Sequence, residues 1–236
     1  MTEYRCGWSL TQELTTVVIP VYNGAKYLAE AVASVKRQSH GAIEIVIVDD
    51  GSMDATPELA KSFPGVVYAR QEHAGPAAAL NGGVRLASGK FIAFMSADDI
   101  WCPEKLATQQ TALGREPEGK LVFGHMRHFI SPEIGPTIAA SLRCPSGPMP
   151  AFSAGTLLTT LTTFRSVGPF NERFKVGEFL DWYSRAKDLG KEIIMLPEVV
   201  SMRRVHQSNH STKTIRTEGY APVLKALLDR RRREQR

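Results

Sequence analysis

Residues 43–52 read IEIVIVDDGS. The run is β-branched and apolar almost throughout, which suits a strand covered on both faces. It then stops abruptly at two carboxylates, a glycine and a serine. Three similar runs lie within the first hundred residues: TTVVIPV at 15–21, GVVYAR at 65–70 and KFIAFMS at 90–96. Between them the apolar spacing is helical. Tyr27, Leu28, Ala31, Val32 and Val35 mark one face. A second, shorter helix follows GSMDATPELA, with Pro57 in its first turn and Asp54 or Thr56 able to cap it. A third runs from about Pro76 to Leu86, before SGK breaks it. Such alternation predicts an α/β fold with a mostly parallel sheet and right-handed crossovers. In these sheets ligands bind beyond the carboxyl ends of the strands.

Those ends are where polar groups gather. One strand ends in Asp49-Asp50-Gly51-Ser52, another in Ser96-Ala97-Asp98-Asp99, and the first in Pro20-Val21-Tyr22-Asn23-Gly24. Carboxylates this close repel by about 1–4 kcal/mol per pair at 4 Å, depending on the effective dielectric. A bound cation offsets that repulsion, and oxygen ligands suit Mg2+ or Mn2+. Taken singly, each aspartate has a structural reading. Asp50 and Asp54 would serve a turn, and Asp98 or Asp99 would cap the helix beginning near Pro103. The coincidence at several strand tips favours the cation.

After Trp101 the pattern predicts a helix to about Leu113, a strand in KLVFGHMRHFI, and a long loop at 131–150 that holds five prolines. AGTLLTTLTTF reads as half strand and GEFLDWYSRAKDLG as a helix stopped by Gly190, with KEIIMLP and EVVSMRRVH as two short strands. The final helix carries a stripe of Tyr220, Val223, Leu224, Leu227 and Leu228 that is expected to dock on something, a second copy of the chain included.

The 236 residues, 43% of them hydrophobic, suffice for a real core. No apolar stretch approaches the ~20 residues of a membrane span, and MTEYRCGWSL lacks the features of a signal peptide. Cys6, Cys102 and Cys144 lack metal-type spacing and read as free thiols, so a cytoplasmic location is expected. The formal charge of +5 owes much to Arg230–Arg233. That run would be a solvated helix end, or would touch a membrane surface or an acidic partner. Without interleaved aromatics it does not point to nucleic acid.

Four stretches together resemble the non-processive members of glycosyltransferase family 2, with its GT-A fold. They are VVIPVYNGAKYLAEAVASVKRQ, IEIVIVDDGSMDAT, HAGPAAALNGGVRLASGKFIAFMSADDIW and FNERFKVGEFLDW. The resemblance covers about Thr15 to His206 and lacks the QxxRW motif of the processive synthases. It implies an N-terminal extension at 1–14, a nucleotide-sugar-binding half at 15–101, an acceptor-binding half of the same domain at 102–212, and a basic tail at 213–236. It implies an inverting enzyme that moves one sugar from a nucleotide-diphosphate donor, UDP-type favoured, to an acceptor hydroxyl. Pro20, Tyr22 and Asn23 would line the nucleotide pocket, and Asp50 would accept a hydrogen bond from the base. Asp98 would bind Mn2+ or Mg2+, Asp99 would sit at the sugar or ribose, and His206 would lie near the metal and diphosphate.

The chain departs from the family's pattern at three places. Ser96 stands where an aspartate is usual, Leu80 where many relatives have arginine, and Glu178-Phe179 where relatives often read Glu-Asp. Because phenylalanine takes no proton, the general base would be Asp181, or else Glu178. The same three replacements also admit a different reading, a catalytically degenerate nucleotide-binding or scaffold protein.

Overall fold

A computed structural model describes residues 13–39, 41–207, 209 and 219–234. The first half alternates as the sequence implies: β1 (Thr15–Val21), α1 (Ala25–Lys36), β2 (Ile43–Asp49), α2 (Thr56–Ser62), β3 (Val66–Arg70), α3 (Pro76–Leu86) and β4 (Phe91–Phe94). The second half holds β5 (Ile100–Trp101), α4 (Lys105–Leu113), β6 (Lys120–Ile130), a one-turn α5 (Pro136–Ala139), β7 (Met149–Ala151) and β8 (Leu158–Thr160). It closes with α6 (Leu161–Val167), α7 (Glu178–Asp188), β9 (Glu192–Val205) and α8 (Ala221–Glu234).

One nine-stranded sheet joins the two halves in the order β3-β2-β1-β4-β8-β6-β9-β5, with β7 added on β6. The first four strands in that order are parallel, as are β6 and β9; β8, β5 and β7 run antiparallel to their neighbours. Helices cover both faces, so successive side chains of a strand are buried on opposite sides. Val17, Ile19 and Val21 pack with Leu28, Val32 and Val35 of α1 and Leu106 of α4. Val18 joins Leu80 and Val84 of α3, Phe164 of α6 and Trp182 of α7. Hence the strands read as unbroken apolar runs. Helix α3 lies so close that a Cβ on Gly83 would come within 2.2 Å of Val18 Cγ1.

One expectation changes. KEIIMLP and EVVSMRRVH form one 14-residue strand, β9. The reason is a bulge: the register against β6 passes from Phe123↔Met195 to His125↔Val199. Pro197, inside the bulge, has no N–H to give the ladder, and the irregularity accommodates it. Opposite lies Gly124, where a Cβ would sit 2.6 Å from Val200 Cγ1. The stripe on α8 divides: Val223 is buried, while Tyr220, Leu224 and Leu228 are exposed. Arg230 adds a second inward contact, bonding Asp181, Ser184 and Asp188 of α7. Cys102 and Cys144 are free thiols; Cys6 lies outside the described residues, as does most of the 1–14 extension. No helix among the described residues is long and apolar enough to cross a membrane.

Lys105, at the start of α4, is 1% exposed. Its ammonium donates to Gln109 Oε1 at 2.5 Å and lies 4.4 Å from the centre of the Trp101 ring. Burial lowers its pKa from 10.5 to about 7. Between those values the unfolded chain carries a proton that the folded one has lost, so unfolding takes up a proton and stability rises with pH. We expect the wild type to gain stability relative to Lys105→Met between pH 7 and pH 9, by at most about 1.4 kcal/mol per pH unit. Urea titrations across that range check this; parallel curves for the two proteins would contradict it.

Candidate active site

The ends of β1, β2 and β4 carry the groups singled out by the sequence. Beyond β1, Asn23 adopts φ 49° and binds the β2–α2 turn twice. Its N–H donates to Ser52 Oγ at 2.9 Å, and its Oδ1 accepts from the Met53 N–H at 2.8 Å. Asp54 Oδ2 accepts from the N–H of Ala25, the first residue of α1. The first two strand tips are therefore fastened to each other before any ligand enters.

Asp49 and Asp50 split their work. Asp49 is fully buried and accepts from Ser52 N–H and the Tyr68 hydroxyl, each at 2.8 Å. Burial and the Asp49 carboxylate push that phenol up to about 12. Asp50 shapes the approach to α3. Its Oδ1 accepts from Gln71 Nε2 (2.8 Å) and Ala74 N–H (3.0 Å), and its Oδ2 from Gly75 N–H (2.8 Å). His73 Nδ1 lies 2.9 Å from Oδ2. The His73 ring in turn stacks on Tyr22 with centroids 4.1 Å apart. Pro20 is partly exposed at the end of the same strand.

Asp98 and Asp99 point in opposite senses. Asp98 keeps 30% of its side chain exposed, and its Oδ2 lies 3.0 Å from His206 Nε2 and 3.1 Å from Asn209 Nδ2. Asp99 is 7% exposed and turns inward, where its Oδ1 accepts from the Arg204 N–H at 2.9 Å. Burial first, and the Asp98 charge second, push the Asp99 carboxyl well above the usual carboxylate range. Ser96 contributes a hydrogen bond to Asp99, which opposes that rise. Neither aspartate caps α4.

Arg204, near the end of β9, is the buried centre of this cluster. It donates to the Asp98 carbonyl (2.9 Å) and Ser131 Oγ (3.0 Å), and pairs with Glu30 of α1. Its guanidinium lies between the Tyr27 and Phe129 rings, at 4.6 and 4.8 Å. Asn209 closes the turn after β9: its Oδ1 accepts from the His206 N–H at 2.7 Å, and its Nδ2 also donates to the Arg204 carbonyl. Sequence reasoning passed over Arg204, Asn209 and His73. RRVHQSN contained the first two, but a single arginine or asparagine in a loop carries no local signal of its role.

Helix α7 carries both candidates for the base in different surroundings. Asp181 is buried with both oxygens committed: Oδ2 accepts from Arg185 Nε at 3.0 Å and Oδ1 from Arg230 Nη1 at 3.1 Å. It faces a cleft of about 420 Å3 lined by Pro169, Phe170, Asn171 and Ala226 along with the two arginines. Glu178, half-buried, opens the helix. Phe179 is buried among Phe123, Phe170, Trp182 and Tyr183. Leu80 is likewise core. The following Asn81 brackets the backbone of Phe170 from both sides, through its Oδ1 and its Nδ2.

Among the described residues, no three His, Cys, Asp or Glu side chains form a group that could hold a metal by themselves. Asp98 and His206 together offer one carboxylate oxygen and one imidazole nitrogen. That donor pair fits a hard or borderline divalent cation that draws its remaining ligands from substrate phosphates and water.

Residues 16–152 match the family described as Glycosyl transferase family 2. An uncharacterized glycosyltransferase of Rickettsia prowazekii is 39% identical over 103 residues, which are 43% of this chain and 32% of that protein. Glycosyltransferase GlyA of Streptococcus pneumoniae is 40% identical over 94 residues, 38% of this chain and 14% of that one. The chain thus spans well under half the length of these curated relatives. TarS 1-349 of S. aureus, in a crystal structure with UDP, superposes with a TM-score of 0.66 at 19% identity, covering 81% of this chain and 60% of that one. Mannosyltransferase PcManGT of Pyrobaculum calidifontis, in complex with GDP-Man and Mn2+, gives 0.64 at 20% identity, covering 90% and 64%. The fold is GT-A, as these likenesses establish.

The Arg204 cluster has a measurable consequence. Glu30 is half-exposed, so Arg204 acts chiefly as a buried donor to the Asp98 carbonyl and Ser131 Oγ, and leaving such acceptors unpaired costs about 1–3 kcal/mol. Arg204→Ala is expected to lose stability on that scale in urea denaturation. Arg204→Lys should recover only part of it, because an ammonium lacks the planar fork. Full recovery by lysine would reduce the site to a point charge.

Proposed function

The chain belongs to glycosyl transferase family 2, and from that premise we propose that it transfers one sugar, with inversion, from a nucleoside-diphosphate sugar to an acceptor hydroxyl. The observation that carries the reading is the position of Asp50, Asp98 and His206 beyond the ends of β2, β4 and β9 of one sheet, with Arg204 and Asn209 fixing the last two. The exposed Tyr22 ring offers a face for the base, and Asp50 holds the wall formed by residues 71–75. Gln71, Ala74 and Gly75 engage three of the four acceptor positions of the Asp50 carboxylate, and the exposed His73, whose Nδ1 lies 3.0 Å from the Asp50 carbonyl, borders the one left for the base. A UDP-type donor is favoured, and the complexes of TarS with UDP and UDP-GlcNAc support a diphosphate ligand for this fold.

In the transfer, the acceptor oxygen bonds to the anomeric carbon as the bond to the diphosphate oxygen breaks. The acceptor proton passes to a carboxylate, and the nucleoside diphosphate leaves. Glu178 is the residue for that proton. Both oxygens of Asp181 are held by guanidiniums, and Glu178 is the half-buried first residue of the same helix. Asp98 and His206 would hold Mn2+ or Mg2+, which when bound neutralises charge on the departing diphosphate. His206 and Asn209 keep Asp98 directed outward for this task.

Two variants separate this reading from a degenerate binding protein, a reading favoured by the burial of Phe179 where relatives place the base. Asp98→Asn should cut the Mn2+-dependent gain in UDP or GDP affinity on the order of 10–100-fold by calorimetry. Glu178→Gln should keep nucleotide binding and lower donor hydrolysis or transfer about 10²–10⁴-fold. Nucleotide binding without turnover in the wild type would support the degenerate reading. Unchanged turnover in Glu178→Gln would return the base assignment to Asp181.

A further inference from the structure

Phe152 is a large apolar side chain, 48% exposed, on a segment that is otherwise tied down. It follows β7, whose Ala151 pairs with Gly124 of β6. Thr156 Oγ1 donates to the Ala151 carbonyl at 2.5 Å, and Gln109 Nε2 to the Thr156 carbonyl at 2.7 Å. Trp101 Nε1 donates to the Gly155 carbonyl at 3.2 Å, which anchors the segment to the strand that leaves Asp98 and Asp99.

On its other side Phe152 meets the helix that begins at Glu178. Its ring centroid lies 5.2 Å from Tyr183 and 5.3 Å from Phe123, and those two rings are 5.7 Å apart. Phe179 backs the group at 6.1 Å from Phe123 and 6.3 Å from Tyr183. The result is a packed aromatic triangle that joins the end of β7 to β6 and to α7, the helix that begins at Glu178. Its outer ring faces solvent. An immobilised ring loses little conformational entropy when a ligand covers it, so it is well suited to binding.

We propose that Phe152, backed by Tyr183 and Phe123, is the acceptor-stacking residue. It selects acceptors whose hydroxyl is borne on, or beside, a ring with an apolar face. This rests on the glycosyl-transfer reading and names the acceptor chemistry of that site. The apolar face belongs either to a pyranose or to an aromatic aglycone, because both stack on a phenyl ring. An acyclic polyol has neither.

Saturation-transfer NMR with phenyl β-glucopyranoside, methyl β-glucopyranoside and glycerol tests the idea on the whole chain, with and without UDP and Mn2+. The wild type should saturate ring protons of at least one glucoside and leave glycerol silent. Saturation of the phenyl protons alone identifies an aromatic source; pyranose protons in both glucosides identify a saccharide. Phe152→Ala should weaken that binding about three- to tenfold, and Phe152→Trp should restore it, with nucleotide affinity the same in all three proteins. Equal signals in wild type and Phe152→Ala, or glucoside signals no larger than those of glycerol, overturn the proposal. A wild type that binds the glucosides but no nucleotide fails the donor-site reading and leaves the platform intact.

Discussion

The buried guanidinium of Arg204 joins three separate segments around Asp98 and His206. It reaches α1 through Glu30 and Tyr27, the β4–β5 turn through the Asp98 carbonyl, and the proline-rich segment through Ser131. A cation this buried is tolerated only when its donors are satisfied, and here the fork geometry of arginine satisfies them. The turn that presents Asp98 and the strand that presents His206 are therefore placed by one group.

The same constraint answers the puzzle of two adjacent carboxylates at a strand tip. Burying both as anions beside each other would be prohibitive. The backbone of Arg204 and the hydroxyl of Ser96 take Asp99 inward, where burial favours its neutral form. Asp98 keeps part of its side chain exposed, steadied by His206 and Asn209. In this chain Ser96 supports the buried carboxyl, so its replacement of the usual aspartate has a local logic as well as a cost in negative charge.

Helix α7 divides its duties by face. Phe179, Trp182 and Ala186 bury against the sheet, while Arg185 binds the carbonyls of Val167 and Pro169 and Asp181 pairs with Arg230 of α8. Tyr183 passes the apolar face outward to Phe152, so the core and the exposed Phe152 ring are one continuous set of rings.

The strands, helices and polar tips were legible in the residues because they follow from short-range periodicity and local turn chemistry. TTVVIPV, IEIVIVD and KFIAFMS could hardly be anything but covered strands, and DDGS and SADD had to end them. The family resemblance added roles for Asp50, Asp98 and His206 on that frame. Tertiary structure alone decided which of Asp98 and Asp99 turns outward, that Arg204 and Asn209 organise them, and that Asp181 is neutralised from α8. The merging of two expected strands into bulged β9 likewise depended on pairing with β6. The physical reason is distance along the chain. The Arg204–Asp99 and His206–Asp98 contacts join residues more than a hundred positions apart, and Arg230–Asp181 spans 49. No local pattern encodes which partner a buried charge will find.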